Sequence, residues 1–187
     1  RKGKAMIRWR EAFERCKDSR EFKSYFGRGA SLKVSDFRYV AYAQQFNAVT
    51  AGTVTGGATP TTPITPGNAI GPSLQNFPSG GVILGITAAA VQPQTTASAF
   101  QYAPSMSPGR RDLFALNFQY TNDEVITPGG PVLAEALLGS GEDTIFPARE
   151  IVVPPSQGLL CTAQSYTINP PMNVHVVYHT MVPRVAN

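Results

Sequence analysis

His175 and His179 are the residues whose type and spacing first suggest chemistry in this sequence, which contains no other histidine. They stand four residues apart, the spacing at which two imidazoles on one helix face can bind zinc. The β-branched residues around them favour a strand instead, in which residues four apart are separated by roughly 13 Å. One metal ion cannot bridge that distance, so the pattern predicts two polar residues on one face of a sheet.

Acidic side chains offer a second route to catalysis, because a glycosidase needs only two carboxylates at a suitable separation. The candidate acidic residues lie within three positions of a Gly, Pro or Asn, in segments where carboxylates usually belong to solvated turns. These residues are Asp112, Asp123, Glu124, Glu142, Asp143 and Glu150. The sequence has no G-x-S-x-G elbow, no Walker loop and no G-x-G-x-x-G motif after a strand. We therefore expect no enzymatic activity, cofactor or metal ion.

The first 38 residues carry a positive charge that the rest of the chain lacks. They hold twelve Lys/Arg and five Asp/Glu, a balance of +7, whereas residues 39–187 carry −3. Charged residues make up 15% of the chain, against roughly 25% in an average protein. A basic segment joined to a mildly acidic body predicts contact with something anionic, either nucleic acid or the acidic face of a neighbouring subunit.

Residues 4–26 predict a helical arm, because apolar residues recur there every three or four positions. A capping box at residues 18–21 predicts a restart of the helix, which Gly27 and Gly29 then end. The expected subunit-packing residues are Met6, Trp9, Phe13, Phe22 and Phe26. The residues expected to contact a partner subunit or nucleic acid are Arg8, Arg10, Arg15, Lys17, Arg20, Lys23 and Arg28. Docking of the arm on its own β body, or simple solvation of its basic face, are the alternatives, since so short a helix needs a surface to pack on.

The rest of the chain predicts a mainly β fold. Residues 48–80 are rich in Pro, Thr and Gly, a composition that excludes a central strand and predicts an extended loop. From residue 81 onward, short alternating runs separated by Pro/Gly turns predict strands. We expect an antiparallel, jelly-roll-like β-sandwich in residues 81–187, preceded by a basic helical arm (1–47) and the loop (48–80).

The two cysteines and the hydropathy pattern indicate the cellular compartment in which the protein folds. Cys16 and Cys161 predict buried free thiols, which fit assembly in a reducing compartment. No run of eighteen apolar residues is present, so no membrane span is predicted, and nothing near Arg1 is typical of a signal peptide.

The basic arm, the Pro/Thr/Gly-rich excursion and the charge-poor β body together resemble a virion structural protein of the kind found in viral capsids and in bacteriophage necks and tails. Residues 146–155, followed by two strands, are similar to the C-terminal sheet of phage β-sandwich proteins. The resemblance implies a subunit that assembles with copies of itself and with other virion proteins, as a homo-oligomer in a virion put together in the host cytoplasm. Contact of the arm with packaged nucleic acid is a further expectation.

Two other functions stay open at this point. A β-sandwich that binds or cleaves carbohydrate would need an aromatic stacking platform, for which the candidates are Tyr102, Tyr120, Tyr166 and Tyr178. A nucleic-acid-binding module would act through the arm, with an affinity that falls steeply as salt is added. In that case, removal of residues 1–38 should abolish binding and leave the body folded.

Overall fold

A computed structural model describes residues 2–27, 32–49, 53–54, 64–65, 67–91, 114–120, 130–134, 150–165 and 172–184. At residues 2–8, 47–48, 53–54, 64–65, 90–91 and 172 the description is of the backbone alone. The elements are α1 (Lys2–Cys16), α2 (Arg20–Phe26), a 3-10 turn (Val34–Asp36), β1 (Phe37–Val49), β2 (Thr53–Val54), β3 (Ile64–Thr65), β4 (Ile70–Phe77), β5 (Gly81–Val91), β6 (Phe114–Tyr120), β7 (Val132–Leu133), β8 (Ile151–Val153), β9 (Gln157–Ser165) and β10 (Met172–Pro183).

The strands form two antiparallel four-stranded sheets. The first sheet has the order β1-β10-β5-β8 and the second has the order β4-β9-β6-β7, while β2 and β3 pair with each other separately. All pairings are antiparallel. The mainly β fold expected from the sequence is therefore confirmed. The short runs expected to form strands after residue 81 correspond to β5, β6, β8, β9 and β10.

The inner faces of the two sheets share one hydrophobic core, which gives the body a sandwich-like arrangement. Alternate residues of each strand point into it, as the pleat of a strand requires. The first sheet contributes Phe46, Val49, Ile83, Ile86, Ala88, Val153, Val174, Val176 and Tyr178, and the second contributes Phe77, Phe114, Leu116, Phe118, Leu159, Cys161 and Ala163. Aromatic rings meet edge to face across the layers, with 6.2 Å between the ring centres of Phe77 and Tyr178.

A buried polar chain also links the two sheets. The Tyr178 hydroxyl donates to Gln44 Oε1 (2.6 Å), and Gln44 Nε2 donates to the Ser73 carbonyl (2.8 Å). Burial, with a smaller contribution from the nearby Cys161 thiol, raises the pKa of the Tyr178 phenol well above its usual value, so the hydroxyl stays protonated and donates. The link joins β10 and β1 of the first sheet to edge strand β4 of the second.

Four strands lie where the sequence predicts arm and loop, among them the two-residue strands β2 and β3 inside the expected loop. β1 begins at Phe37, inside the expected arm of residues 1–47, and β4 lies inside the expected loop of residues 48–80. β1 escapes prediction because its inward row includes Gln44 and its outward row includes small alanines, which blurs the alternation. β4 tolerates Pro72 because an edge strand needs ladder bonds on one side only. Most of the remaining expected loop lies outside the described residues.

The polar link between the sheets predicts a specific pattern of unfolding energies. We expect Gln44→Leu to destabilise the protein by about 1–3 kcal/mol, because it leaves a buried hydroxyl without its acceptor and a carbonyl without its donor. The double variant Gln44→Leu/Tyr178→Phe should recover part of that loss, since it removes the unpaired Tyr178 hydroxyl and leaves only the Ser73 carbonyl without its donor. Tyr42→Phe is the control, with an expected change below about 0.5 kcal/mol. The cycle is completed by the single variant Tyr178→Phe. Strict additivity of the unfolding free energies of wild type, Gln44→Leu, Tyr178→Phe and the double variant in denaturant would contradict the link.

Candidate functional site

The two helices pack against the outer face of the first sheet. Phe13 and Cys16 of α1 and Phe22 of α2 are buried against Phe37, Val82 and Met181, which lie on β1, β5 and β10. Trp9, Phe26, Leu32, Val34, Leu84 and Val152 surround this helix-docking cluster and are partly buried. The helices are thus attached to the chain's own body.

Aromatic contacts fix the position of the helix pair. The ring centres of Phe13 and Phe22 are 5.9 Å apart in an edge-to-face contact, and each lies 5.5 Å from that of Phe37. The chain turns between the helices because Ser19 caps α2: its hydroxyl accepts from the Phe22 amide (3.2 Å). Gly27 ends the helix, with its amide bonded to the Lys23 carbonyl (3.0 Å). The predicted restart of the helix and its end at Gly27 are therefore confirmed, with Ser19 as the cap in place of the capping box expected at residues 18–21.

The expected subunit-packing residues are placed differently from the prediction. Phe13 and Phe22 have 1% and 0% of their surface exposed, and Trp9 and Phe26 pack around them. A side chain without exposed surface has nothing to offer a second subunit, so the apolar stripe packs within its own chain, the alternative left open by the sequence. The side chain of Met6 lies outside the described residues.

Several of the expected contact residues form ion pairs within the chain. Arg15 donates to Glu150 just before β8, Lys17 pairs with Glu14, and Lys23 Nζ lies 3.0 Å from an oxygen of Asp18. The Glu150 hydrogen bond raises the pKa of the Arg15 guanidinium. Arg10 and Arg20 are exposed, whereas Arg28 and the side chain of Arg8 lie outside the described residues. Within residues 9–27, the basic side chains are thus largely balanced by neighbouring carboxylates.

The net positive charge is concentrated before the docked part of the helix. Residues 9–27 hold five basic and four acidic side chains, whereas residues 1–8 hold Arg1, Lys2, Lys4 and Arg8 with no acidic residue. Salt-dependent attraction to an anionic partner depends on unneutralised charge. The first eight residues are therefore the more suitable place for such a contact.

Beyond the helices, the outer face of the first sheet carries a histidine at its centre. His179 of β10 lies between Tyr39 of β1 and Thr87 of β5: its Nδ1 is 2.5 Å from the Tyr39 hydroxyl and its Nε2 is 3.0 Å from the Thr87 hydroxyl. Burial lowers the pKa of His179, so the fold favours the neutral ring. His175 is exposed on the same face, as the strand spacing predicts.

The strands of both sheets are almost free of charge. Arg38 is the one Lys, Arg, Asp or Glu within the eight strands of the two sheets. The outward positions instead carry Ala, Thr, Asn, Gln and exposed apolar side chains, among them Tyr39, Leu74 and Leu133, which are 46%, 52% and 40% exposed. A solvent-facing sheet normally alternates apolar and charged or polar residues, so the lack of charge on both outer faces is unusual.

The remaining chemical groups of the described residues are structural. Burial raises the pKa of Cys161 to about 12 and that of Cys16 to about 11, which keeps both thiols protonated and unreactive. Tyr178, a candidate stacking platform for sugars, is fully buried and cannot serve as one, and Tyr120 is half-buried. Tyr102 and Tyr166 lie outside the described residues.

Comparisons with known proteins give no relative on which to base a function. No protein-family model, curated protein or solved structure matches the chain. Within the described residues, no cluster of three or more His, Cys, Asp or Glu could hold a metal ion. None of the described helices combines the length and the apolar character that a membrane span requires. The inference of function therefore starts from topology, charge and exposed surface.

Docking of the helices predicts that they contribute to the stability of the body. Phe13→Ala should destabilise the protein by about 3–5 kcal/mol, because it opens a cavity against Phe22 and Phe37. Tyr25→Ala, on the exposed side of α2, is the control and should cost less than about 1 kcal/mol. By the same reasoning, deletion of residues 1–38 uncovers Val82 and Met181 and should not leave the body intact. Equal denaturation midpoints for the two alanine variants would contradict the docking.

The histidine on the open face predicts a loss of stability in mild acid. Because the folded-state pKa of His179 lies below its unfolded value of about 6.5, the unfolded chain binds more protons as the pH falls through that value. His179→Gln should therefore lose less stability than the wild type between pH 7.5 and pH 5.5. His175→Gln is the matched control, since that exposed ring makes neither of the two hydroxyl contacts. Identical pH profiles of thermal unfolding for wild type and His179→Gln would refute the assignment.

Proposed function

We propose that the body is a jelly roll. If the eight strands of the two sheets are numbered 1 to 8 along the chain (β1, β4, β5, β6, β7, β8, β9 and β10), the sheet orders become 1-8-3-6 and 2-7-4-5. Strand 1 then pairs with 8, 2 with 7, 3 with 6 and 4 with 5, as in a long antiparallel hairpin rolled into two layers. Viral capsid proteins, lectins and cupins share this architecture.

We further propose that the protein is a structural subunit of a virus or phage particle, which acts by subunit–subunit assembly. The observation that carries the proposal is the near absence of charge on both outer sheet faces. The buried centres of protein interfaces are depleted in charged residues, because desolvating an unpaired charge is costly. Neutral Gln, Asn and Thr side chains can form hydrogen bonds across an interface without that cost. Copies of this chain and other virion proteins are the proposed partners.

The charge distribution favours an anionic partner for the first eight residues. Four basic side chains in eight residues, without any acidic neighbour, supply the uncompensated charge that binding to phosphates requires. Nucleic acid inside a particle would be such a partner. Replacing Arg1, Lys2, Lys4 and Arg8 by Gln should lower the slope of log affinity for single-stranded RNA against log salt by about 3. The double variant Arg10→Gln/Arg20→Gln should change this slope less. Equal slopes for the fourfold and the double variant would refute the claim that the first eight residues make the contact.

Assembly predicts that purified protein self-associates into particles of closed symmetry. Sedimentation velocity over increasing protein concentration should show a discrete large species in place of a continuum of sizes. A charge placed on the outer face of the second sheet, in Leu74→Lys, should weaken that species, because it would bury an unpaired ammonium group. Ser24→Lys, on the exposed surface of α2, is the control. A monomer that persists at the highest concentrations and over all salt conditions would contradict the proposed function.

A further inference from the structure

The four edge strands of the two sheets differ in how they are protected against pairing with another chain. β7 and β8 span two and three residues, and β8 is followed by Pro154 and Pro155. β4 carries Pro72 and a register shift between Ile70 and Ser73. Short strands, prolines and bulges are the devices by which proteins block edge-to-edge association. Three of the four edge strands are thus protected against pairing with another chain.

The fourth edge, β1, has one of these features only at its end, where the register shifts between Phe46 and Val49. It spans thirteen residues without a proline, and its pairing with β10 is regular from Phe37 to Phe46. Arg38, near its start, is its one charged residue. Ala41 and Ala43, in the middle of the strand, are exposed. In a protein that protects its other edges, an uncharged stretch from Tyr39 to Ala43 with which no described strand pairs indicates a surface that is used for pairing.

The alternation of hydrogen-bonded pairs along the β1–β10 ladder shows which backbone groups of β1 face the edge of the sheet. The Arg184 amide donates to the Asp36 carbonyl (2.8 Å), in register with the β1–β10 pairing. Because hydrogen-bonded pairs alternate along an antiparallel ladder, the N–H and C=O groups of Tyr39, Ala41 and Ala43 point toward the open edge. No strand of the described part of the chain pairs with them.

We propose that β1 pairs antiparallel with β1 of a second copy of this chain, about a two-fold axis near Ala41 and Ala43. This inference rests on the proposed function and specifies one of its contacts. A strand pairs with itself antiparallel under two-fold symmetry, the commonest symmetry of homo-oligomers. With the axis near Ala41 and Ala43, Arg38 lies opposite the far half of the partner strand, so the like charges do not meet. The first sheets of the two copies then form one continuous eight-stranded sheet.

The small outward side chains of this segment suit such a contact. Ala41 lies beside His179 and Ala43 beside Val177 in the register of the first sheet. Alanine at both positions leaves the edge free of bulky groups, so that a second backbone can approach to the spacing of about 4.8 Å between paired strands. Gln44 anchors the strand from the inner side through Ser73 and Tyr178, which holds the edge rigid for pairing.

The test compares Ala43→Lys with His175→Lys by sedimentation equilibrium of the full-length protein. Both positions are exposed on the same outer face, but Ala43 lies on the edge strand and His175 on the central strand β10. Ala43→Lys should raise the dimer dissociation constant about tenfold or more, because two ammonium groups meet near the axis. His175→Lys should leave it within about twofold of the wild type. Matching thermal unfolding curves would show that both variants fold.

The outcomes separate this contact from the proposed function. If wild type and Ala43→Lys associate equally well while His175→Lys is weakened, the partner covers the sheet face and edge pairing is refuted, although assembly stands. If the wild type forms dimers that Ala43→Lys lacks but never larger particles, edge pairing is supported and the particle function is refuted. Amide hydrogen exchange in peptides from residues 37–49 gives a second readout: it should slow as the wild type associates, and unchanged exchange would also refute pairing.

Discussion

The fold depends on the insertion of β10 between β1 and β5. This C-terminal strand is hydrogen-bonded on both sides, and its inward side chains Val174, Val176 and Tyr178 are fully buried in the core. On its outer side, Met181 supports the docked helices. The strand therefore joins residues near the start of the chain to residues near its end, and neither the first sheet nor the helix-docking cluster can form without it.

The parts of the structure that are predictable from the sequence are those set by local residues, whereas strands set by pairing with a distant segment such as β10 are not. Local signals sufficed for β5, β6, β9 and β10, where β-branched and aromatic residues dominate, and for α2, where a Ser cap and a terminal Gly mark the ends. β1 was not predictable, because its place in the sheet is set by pairing with β10, some 140 residues further along the chain. β4 was hidden by its proline, which is compatible with a strand only at an edge.

The sequence predicted the positive charge and the apolar stripe of the helical segment, but not the residues that the segment contacts. The helical stripe was recognised as a packing surface, but a periodic pattern does not identify the surface on which it packs. Phe37, Val82 and Met181, the partners of that stripe, come from three distant segments of the chain. Likewise, a count of basic residues does not show that Arg15 is bonded to Glu150. The charge-poor outer faces were visible in the composition, yet their meaning depended on knowing which side chains point outward.

Sheet strands that carry almost no charge account for the proposed role in assembly, since their outward side chains can offer hydrogen bonds and apolar area to neighbours. The most direct measurement of this claim is hydroxyl-radical footprinting of assembled and dissociated protein at Tyr39, Leu74 and Leu133, the exposed side chains of the two sheets. The account predicts that assembly protects these side chains and leaves the exposed Tyr25 of α2 as reactive as before. If Tyr39, Leu74 and Leu133 were as reactive in the assembled as in the dissociated protein, the account would be contradicted.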